Sequence, residues 1–511
     1  MGEQQKTIWQ LLLFLAIICI QQSVQQKNPH YIGNRTTMVH LFEWKFDDIA
    51  KECEQFLGPY GYGGLQTSVI TECIVIRNSE VKRPWWERYQ VMSYKFISRS
   101  GNEQQFRNMV RRCNDAGVRV FVDIILNHMT GNNGENVVGT AGSTANTGES
   151  KYYPGVPYDK SHFHKTCSIE NWNDANQIRF CELVGLRDLD QSQDYVRKNI
   201  IDKLNRMVDA GVAGFRVDAA KHMLPSDLKH IYDSVQNLRL DHGFPENARA
   251  FITQEVSDFG DPKDPVKREE YLPIGTVTEF RFGKELTNHF GGGSQIKYLK
   301  TFGTSWGLMK SEDGLVFVDN HDTQRDGNVL TYKKSKPYKM AVAFMLAHPH
   351  SKIPRVMSSF AFDNKELGPP MDGNENIISP KINADNSCGN GWVCEHRWRP
   401  IYGMVQFKNV VGEDAPLTNW WDNGSNQIAF CRGNRGFIAI NKSGNLKQTL
   451  QTCLPSGKYC DVITGDLINN KCTGKVVTVD GNGNALIEIK ESEDDAVLAI
   501  HIQSKLAVSK L

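Results

Sequence analysis

Short apolar runs recur between residue 38 and about residue 362, and segments with helical spacing separate them. The eight runs cover residues 38–42, 62–66, 118–126, 213–217, 250–254, 276–280, 315–318 and 355–360. Between the second and third runs, Phe106, Met109, Val110 and Cys113 recur at the spacing of one helix face. Eight strands that alternate with helices predict an α/β protein built on a (β/α)8 TIM barrel.

Two regions break this alternation. The stretch from Asn127 to Asp188 is long and rich in Gly, Asn, Ser and Tyr, which is typical of a disordered loop. Because it also contains Cys167 and Cys181, we favour a small domain inserted after strand 3. From about Thr418 onward, alternating apolar and polar residues between Gly/Asn turns predict a separate antiparallel β-sandwich domain.

The predicted order of domains follows from these patterns. We expect a signal peptide at 1–25, barrel segments at 26–128 and 189–415, an inserted domain at 129–188, and a C-terminal β-domain at 416–511. The run 11–20 has ten apolar residues, which is too few to span a bilayer but suits a secretory signal. The predicted protein is therefore secreted and extracellular.

Charge limits the classes of partner. Lys and Arg number 59 against 58 Asp and Glu, a net charge of +1. A nucleic-acid-binding protein needs a basic surface, so we expect no such partner. No run after residue 25 reaches transmembrane length, so no membrane partner is expected either. This balance leaves room for a neutral substrate. We expect a monomer, although the charge does not determine the oligomeric state.

Polar residues follow four of the predicted strands. The third strand carries Asp123 and is followed by Asn127 and His128, and the fifth ends in Gln254-Glu255. The fourth strand contains or precedes Arg216, Asp218, Lys221 and His222, and residues 319–322 follow the seventh strand. Such acids could simply cap the next helices. However, several carboxylates at one barrel mouth repel each other unless they are used, and glycoside hydrolysis uses a carboxyl pair.

Five motifs in this order resemble the animal-type, chloride-dependent α-amylases, which belong to the α-amylase family of retaining glycoside hydrolases. They are HLFEW at 40–44, RPWWERYQ at 83–90, GFRVDAAKH at 214–222, QE at 254–255 and VDNHD at 318–322. The resemblance covers nearly the whole chain after the predicted signal. It implies an endo-acting α-1,4-glucan hydrolase that cleaves starch or glycogen by a retaining double displacement.

The resemblance also implies roles for individual residues. Asp218 would be the nucleophile, Glu255 the general acid and then the base, and Asp322 the residue that stabilises the distorted sugar. The residues implied to bind substrate are Trp85, Trp86, Tyr89, Gln90, His128, Trp172, Arg216, Lys221, His222 and His321. The aromatic residues among them could instead belong to the core, because Trp and Tyr are also common there.

Two ions are implied in the same way. For calcium, the resemblance implies side-chain oxygens of Asn127 and Asp188 and backbone carbonyls of Arg179 and His222, a donor set that suits a hard cation. Asn127 could equally be a turn residue. For chloride, the implied ligands are Arg216, Asn320 and Arg355, although both arginines could simply pair with carboxylates.

Twelve cysteines are present, and Cys19 lies in the predicted signal. The resemblance implies four disulfides, which are Cys53–Cys113, Cys167–Cys181, Cys388–Cys394 and Cys460–Cys472. Cys73, Cys431 and Cys453 remain. We expect Cys431 to pair with Cys453 within the β-domain, which leaves Cys73 as the free thiol; the alternative is that all three are free.

The chain departs from the family pattern at two places. Residues 67–74 read TSVITECI, where relatives usually carry prolines and asparagines, and only Asp326-Gly-Asn328 follows Arg325 before Val329, where many relatives have a longer mobile loop. Two other functions therefore stay open. One is an α-glucosidase or transglycosylase of the same family, and the other is a catalytically inactive carbohydrate-binding paralogue. Products from a long glucan would separate them.

Overall fold

The computed structural model describes residues 26–507, so the predicted signal peptide lies outside the described residues. Eight parallel strands close into a barrel in the order β1-β8-β7-β6-β5-β4-β3-β2. They are β1 (Met38–Leu41), β2 (Gly64–Thr67), β3 (Arg119–Ile125), β4 (Gly214–Asp218), β5 (Phe251–Gln254), β6 (Thr276–Glu279), β7 (Gly314–Val316) and β8 (Ile353–Ser358). The predicted TIM barrel is confirmed, and each strand falls in or beside its predicted apolar run.

Strand register decides which polar residues meet inside the barrel. All seven residues of β3 are buried, including the charged Asp123. Parallel pairing of β3 with β4 sets Asp123 directly opposite Arg216, and both side chains are at most 2% exposed. A buried charge is costly without a partner of opposite charge. The strand register provides that partner for both Asp123 and Arg216.

Helices cover the outside of the barrel or connect its strands. They are α1 (Phe46–Glu52), α2 (Glu103–Asp115), α3 (Ala175–Phe180), α4 (Asp194–Asp209), α5 (Pro225–Ser234), α6 (Phe280–Phe290), α7 (Thr323–Asp326), α8 (Ser335–Ala347) and α9 (Arg399–Val411). A capping box begins α2, because the Asn102 side chain accepts from the Gln105 amide and the Gln105 side chain accepts from the Asn102 amide. The four apolar residues predicted to share one face of α2 are all buried.

The chain between β3 and β4 leaves the barrel and returns to it. It contains a two-stranded ribbon, Val137–Val138 with Thr144–Ala145, the short helix α3 and the Cys167–Cys181 bridge. A backbone bridge between His128 and Asp188 holds the two ends of this insert together. The insert therefore starts and finishes beside the C-terminal end of β3, at the mouth of the barrel.

The C-terminal region is antiparallel, as predicted. Its strands are β9 (Leu417–Asp422), β10 (Gln427–Arg432), β11 (Gly436–Asn441), β12 (Leu446–Gln451), β13 (Gly457–Cys460), β14 (Val476–Val479), β15 (Asn484–Ile489) and β16 (Val497–His501). One sheet has the order β9-β10-β11-β16, and β12 pairs with β15 and β13 with β14. These strands enclose a second apolar core that includes Phe437, Tyr459 and Ile487.

The described residues contain five disulfides, including all four that the family resemblance implied. The fifth joins Cys431 to Cys453, so the first of the two alternatives for these residues is confirmed. Within residues 26–507 Cys73 is the one free cysteine, and it is buried. In the same range, no helix has both the length and the apolar character needed to cross a membrane.

Candidate active site

The C-terminal ends of three barrel strands bring carboxylates to one cavity. Asp218 ends β4, Glu255 follows β5, and Asp322 lies on the loop after β7. The cavity has a volume of about 370 Å3. The sequence-predicted residues that line it are Trp85, Trp86, Tyr89, His128, Trp172, Asp218, Lys221, His222, Glu255, His321 and Asp322. In a TIM barrel, this mouth is where catalytic residues are found.

Arg216 lies beneath the cavity and joins the acids. Its Nη1 atom is 2.6 Å from Oδ1 of Asp218 and 2.8 Å from Oδ1 of Asp123, and its Nη2 atom is 2.7 Å from Oε1 of Glu255. The planar guanidinium has enough donors to serve all three carboxylates at once. One buried cation therefore orients Asp218 and Glu255 and offsets part of their mutual repulsion.

Burial and charge act against each other on the carboxyl pKa values. Burial raises the pKa of Asp218 well above its usual range, nearby Glu255 and Asp123 add to the rise, and the Arg216 guanidinium opposes it. Burial and the Glu255 charge raise the pKa of Asp322 to about 7. The Asp322 side chain is 39% exposed, so water in the cleft screens part of this effect.

Two neutral histidines border the acids. The His321 pKa is well below its usual value, first because of burial and then because of the Arg216 charge. Burial also lowers the pKa of His128 to about 4, and its Nε2 atom lies 3.0 Å from the Tyr89 carbonyl oxygen. Uncharged imidazoles can donate to or accept from a sugar hydroxyl, according to their tautomer.

Aromatic side chains form two walls of the cavity. Trp85 Nε1 donates to the Lys365 carbonyl oxygen at 3.0 Å, and Trp86 Nε1 donates to Oε2 of Glu366 at 2.5 Å. These bonds hold both indoles in place on the loop after β2. Trp172 belongs to the insert and is 53% exposed. Exposed or half-exposed indole faces are suited to stacking on the apolar faces of glucose rings.

Four residues that were not predicted from the sequence lie at the rim of the cavity. Leu183, Val184, Leu186 and Ser257 also line the cavity. Val184 is 84% exposed and has a φ of 45°, a left-handed conformation that is unfavourable for a β-branched residue. The signal available in the sequence was the apolar run Leu-Val-Gly-Leu at 183–186 within an otherwise polar insert.

Two residues predicted to bind substrate, Arg216 and Gln90, do not line the cavity. Arg216 lies beneath it, and Gln90 is bonded elsewhere. Its side-chain oxygen accepts from the Gly131 amide at 2.9 Å and from Nδ2 of Asn133 at 3.0 Å. Gln90 therefore ties the loop after β2 to the start of the insert. Its predicted role in substrate binding would need these bonds to rearrange.

Comparison with known proteins agrees with this geometry. The family model for the α-amylase catalytic domain matches residues 80–356, and the model for the α-amylase C-terminal all-beta domain matches 418–503. This chain belongs to the α-amylase family. The alpha-amylase-related protein of Drosophila melanogaster is 56% identical over 486 residues, which cover 95% of this chain and 97% of the relative.

Further similarity to the α-amylase family extends over almost the full chain. The alpha-amylase-related protein of Drosophila atripex is 56% identical over 496 residues, 97% of this chain and 99% of that relative. A solved structure, the maltohexaose complex of a mutant of alpha-amylase I from the earthworm Eisenia fetida, has a TM-score of 0.87 and 41% identity. The match covers 93% of this chain and 98% of the earthworm chain.

The residues implied for calcium in the α-amylase family fit a hard cation. Among residues 26–507, the Oδ1 atom of Asn127 is buried and lacks a hydrogen-bond partner. Asp188 is 1% exposed, and burial raises its pKa to about 7. Its Oδ2 atom lies 2.7 Å from Nδ1 of His164. A buried amide oxygen and a buried carboxylate are ligands that Ca²⁺ prefers, and Arg179 and His222 would add backbone carbonyls.

The residues implied for chloride also fit an anion. Arg355 is buried, its Nη1 atom donates to Oε1 of Gln66 at 2.7 Å, and its Nε atom is buried without a partner among the described residues. Burial and the nearby Arg216 charge lower the Arg355 pKa to about 10. Asn320 lies on the loop after β7 and is buried, and its side-chain oxygen accepts from the Thr323 amide. Two neighbouring buried guanidiniums with a free donor suit an anion, which would relieve their repulsion.

Proposed function

We propose that this protein is a secreted, endo-acting α-amylase that cleaves α-1,4-glucans such as starch and glycogen with retention of configuration. The observation that carries the proposal is the grouping of Asp218 and Glu255 on one guanidinium, with Asp322 in the same cleft. The earthworm relative was solved with maltohexaose, which supports an α-glucan as the substrate class. We propose that the enzyme acts as a monomer.

In the proposed reaction, Asp218 attacks the anomeric carbon while Glu255 protonates the leaving oxygen. Glu255 then removes a proton from the water that breaks the covalent glycosyl-enzyme bond. Retaining enzymes need the two carboxyls roughly 5–5.5 Å apart. Arg216 limits this separation because it contacts both, and the Ala219 amide donates to Oε2 of Glu255 at 2.9 Å, which fixes the second carboxyl.

Asp322 and the histidines would hold the distorted sugar. Oδ2 of Asp322 is 3.3 Å from Nε2 of His321, so the two groups face the same part of the cleft. Trp85, Trp86 and Tyr89 would stack on the glucose units on one side of the scissile bond. Lys221 and Trp172 would contact those on the leaving-group side.

Calcium and chloride are part of the proposal. Calcium bound by Asn127 and Asp188, with the Arg179 and His222 carbonyls, would tie the insert to the barrel and so hold Trp172 over the cleft. Chloride beside Arg216, Asn320 and Arg355 would supply negative charge next to the guanidinium that orients both catalytic carboxyls. Neither role requires the ion to contact the substrate.

A direct test compares wild-type protein with Asp218→Asn on soluble starch, measuring reducing ends, product lengths and the anomeric form of the first products. We expect α-anomers from wild type and a fall in kcat of about a thousand-fold or more in the variant, as for removal of other enzymic nucleophiles. Asp202→Asn is the matched control, because Asp202 is 56% exposed and pairs with Lys198 on α4. β-Anomers, or full activity in Asp218→Asn, would contradict the mechanism.

Removal of halide tests whether chloride is needed for activity. Wild-type enzyme dialysed into a halide-free buffer should lose activity and recover it when chloride is returned. An Arg355→Met variant should show little response to chloride, because one of the two guanidiniums is gone. Equal wild-type activity with and without halide would instead mean that no anion at Arg355 assists the reaction and that Arg216 only pairs with the carboxylates.

A binding protein without catalysis is the second candidate, since the two Drosophila relatives are named only as related to α-amylase. Such a protein would bind maltohexaose in calorimetry and release no reducing ends from starch. An α-glucosidase or transglycosylase would release mainly glucose or form longer glucans. One product analysis therefore separates the three activities.

A further inference from the structure

A second cavity adjoins the catalytic one on the leaving-group side. Its volume is about 570 Å3, within the range of ligand-binding clefts. Trp172 and Lys221 line both cavities. Phe259, on the loop after β5, is 43% exposed and lines only the second one. Two exposed aromatic residues and several charged groups make this space suitable for sugar rings and their hydroxyls.

An ion pair lies between the two cavities. The Lys221 ammonium is 2.6 Å from Oδ2 of Asp264 and donates to the Ser257 carbonyl oxygen at 3.0 Å. The two charged side chains are only 10% and 16% exposed. Lys221 follows β4 and Asp264 belongs to the loop after β5, so their pairing joins two different loops across the boundary. An ammonium has three donors, and two of those of Lys221 are already used.

The loop that carries Asp264 is braced internally. Asp258 is 2% exposed, and its carboxylate accepts from the amides of Gly260 and Arg268, at opposite ends of the loop. Oδ1 of Asp264 accepts from the Val266 amide at 3.1 Å, while Oδ2 faces Lys221. Asp264 is therefore held in position by its own loop, and its free oxygen is directed at the ammonium.

We propose that Asp264 is a specificity-determining residue that limits how many glucose units the cleft holds beyond the scissile bond. By pairing with Lys221, it engages one of the ammonium donors at the boundary between the two cavities. Without the carboxylate charge, Lys221 is released to donate to a sugar hydroxyl, and a glucan can extend from the catalytic cavity into the second one, between Trp172 and Phe259. The role of Asp264 rests on the proposed hydrolysis of α-glucans.

The experiment uses the full-length protein with malto-oligosaccharides of four to seven glucose units, labelled at the reducing end. The length of each labelled fragment reports how many units lay on the leaving-group side. The variants are Asp264→Asn, which removes the charge at nearly constant shape, and Asp264→Glu, which keeps it. Asp202→Asn is the control, because it changes another Lys–Asp pair, with 2.5 Å between its charged atoms, on the exposed surface of α4.

We expect Asp264→Asn to raise the ratio of labelled fragments of three or more units to shorter ones by about tenfold, the lower end for a hydrogen bond donated by a charged group. KM for the longest substrate should fall, while kcat for the four-unit substrate stays unchanged. Asp264→Glu and Asp202→Asn should keep the wild-type pattern. A pattern that is the same in wild type and Asp264→Asn, or one shifted to shorter fragments, overturns the role of Asp264 while leaving the proposed hydrolysis intact.

An inactive wild-type chain would instead refute the proposed hydrolysis, and calorimetry with maltohexaose then tests Asp264 separately. Tighter binding by Asp264→Asn than by wild type and Asp264→Glu supports the partition between the cavities. Equal or weaker binding by Asp264→Asn overturns it. If neither protein binds maltohexaose, both proposals fall.

Discussion

Tyr89 and His321 stack with 5.2 Å between their ring centroids and 8° between their ring planes, and the Tyr89 hydroxyl lies 2.8 Å from Nε2 of His321. The same hydroxyl donates to Oδ2 of Asp123 at 2.9 Å. Through these contacts the loop after β2 fixes the histidine beside Asp322 and also reaches the carboxylate that pairs with Arg216. One phenol therefore connects the aromatic wall of the cleft to its acids.

Replacing Tyr89 by Phe should weaken both stability and activity. The change leaves a buried Asp123 oxygen without its partner, and among the described residues it leaves Nε2 of His321 with only Asp322, at 3.3 Å. Loss of a hydrogen bond to a charged group costs about 1.5–3 kcal/mol, so we expect a similar fall in the free energy of unfolding and about a ten-fold or greater fall in kcat/KM. Urea unfolding and starch kinetics measure the two effects.

Tyr195→Phe is the control for this change. Tyr195 is 43% exposed, and its hydroxyl donates only to the Pro157 carbonyl oxygen, at 3.1 Å. We expect little effect on stability or activity. If Tyr89→Phe and Tyr195→Phe behave alike, the Tyr89 hydroxyl does not organise the site.

Asp322 should make stability depend on pH. Its pKa is raised from 3.8 to about 7 in the folded protein. Below about pH 4 both states carry the proton; between 4 and 7 only the folded state binds it. The contribution of Asp322 is therefore fully present at low pH and is lost as the pH rises through about 7. The difference in unfolding free energy between wild type and Asp322→Asn should decline over this range.

Urea titrations of both proteins at half-unit steps from pH 4.5 to 8 measure that difference. Because the carboxyl is partly exposed in the cleft, we expect a decline smaller than full burial would give. A difference that is flat with pH, or that grows as the pH rises, would show that Asp322 keeps an ordinary or lowered pKa.

Chelation should destabilise the wild-type protein if calcium is bound as proposed. A ligand at 100 times its Kd contributes about 2.7 kcal/mol, which corresponds to roughly 3 °C in Tm for a chain of this size. Asn127→Ala removes the orphaned buried oxygen and should have a low Tm that no longer responds to chelator. Asn176→Ala, at an exposed position of α3 in the same insert, should respond as wild type does. The site is refuted if chelator leaves the wild-type Tm unchanged.

Thiol titration should report both the disulfides and the removal of the N-terminus. Ten cysteines are paired, and Cys73 is buried as a free thiol. The denatured, unreduced protein should therefore show one thiol if residues 1–25 are removed on secretion, and two if Cys19 is retained. Three or more thiols after confirmed removal of the signal would contradict the set of five bridges.

Loss of the Cys431–Cys453 bridge should lower the stability of the C-terminal domain without changing the catalytic site. Replacing Cys431 and Cys453 together by Ala opens a loop with a sequence separation of 22 residues, and chain entropy predicts a loss of about 3 kcal/mol. Because this bridge lies in the C-terminal domain, starch hydrolysis at low temperature should remain near the wild-type rate. Thermal unfolding followed together with activity checks both parts.

Most of the fold could be predicted because its signal is local and repeated. Eight apolar runs with helical segments between them allow few arrangements other than a barrel, and the alternation after residue 417 has the two-residue period of an antiparallel sheet. The acids at the strand ends could also be named, since parallel strands bring their C-terminal ends to one mouth. Family motifs then supplied a role for each acid.

The sequence by itself determined which residues are apolar, which strand ends carry acids and which motifs mark the α-amylase family. Only the tertiary structure decided that Gln90 turns to Gly131, that Val184 stands on the rim, and that Asp264 pairs with Lys221. The physical reason is distance along the chain. Apolar periodicity is set by neighbours within a few residues. In contrast, Gln90 and Gly131 are 41 residues apart and Lys221 and Asp264 are 43 apart, so these contacts depend on how separate loops meet above the barrel.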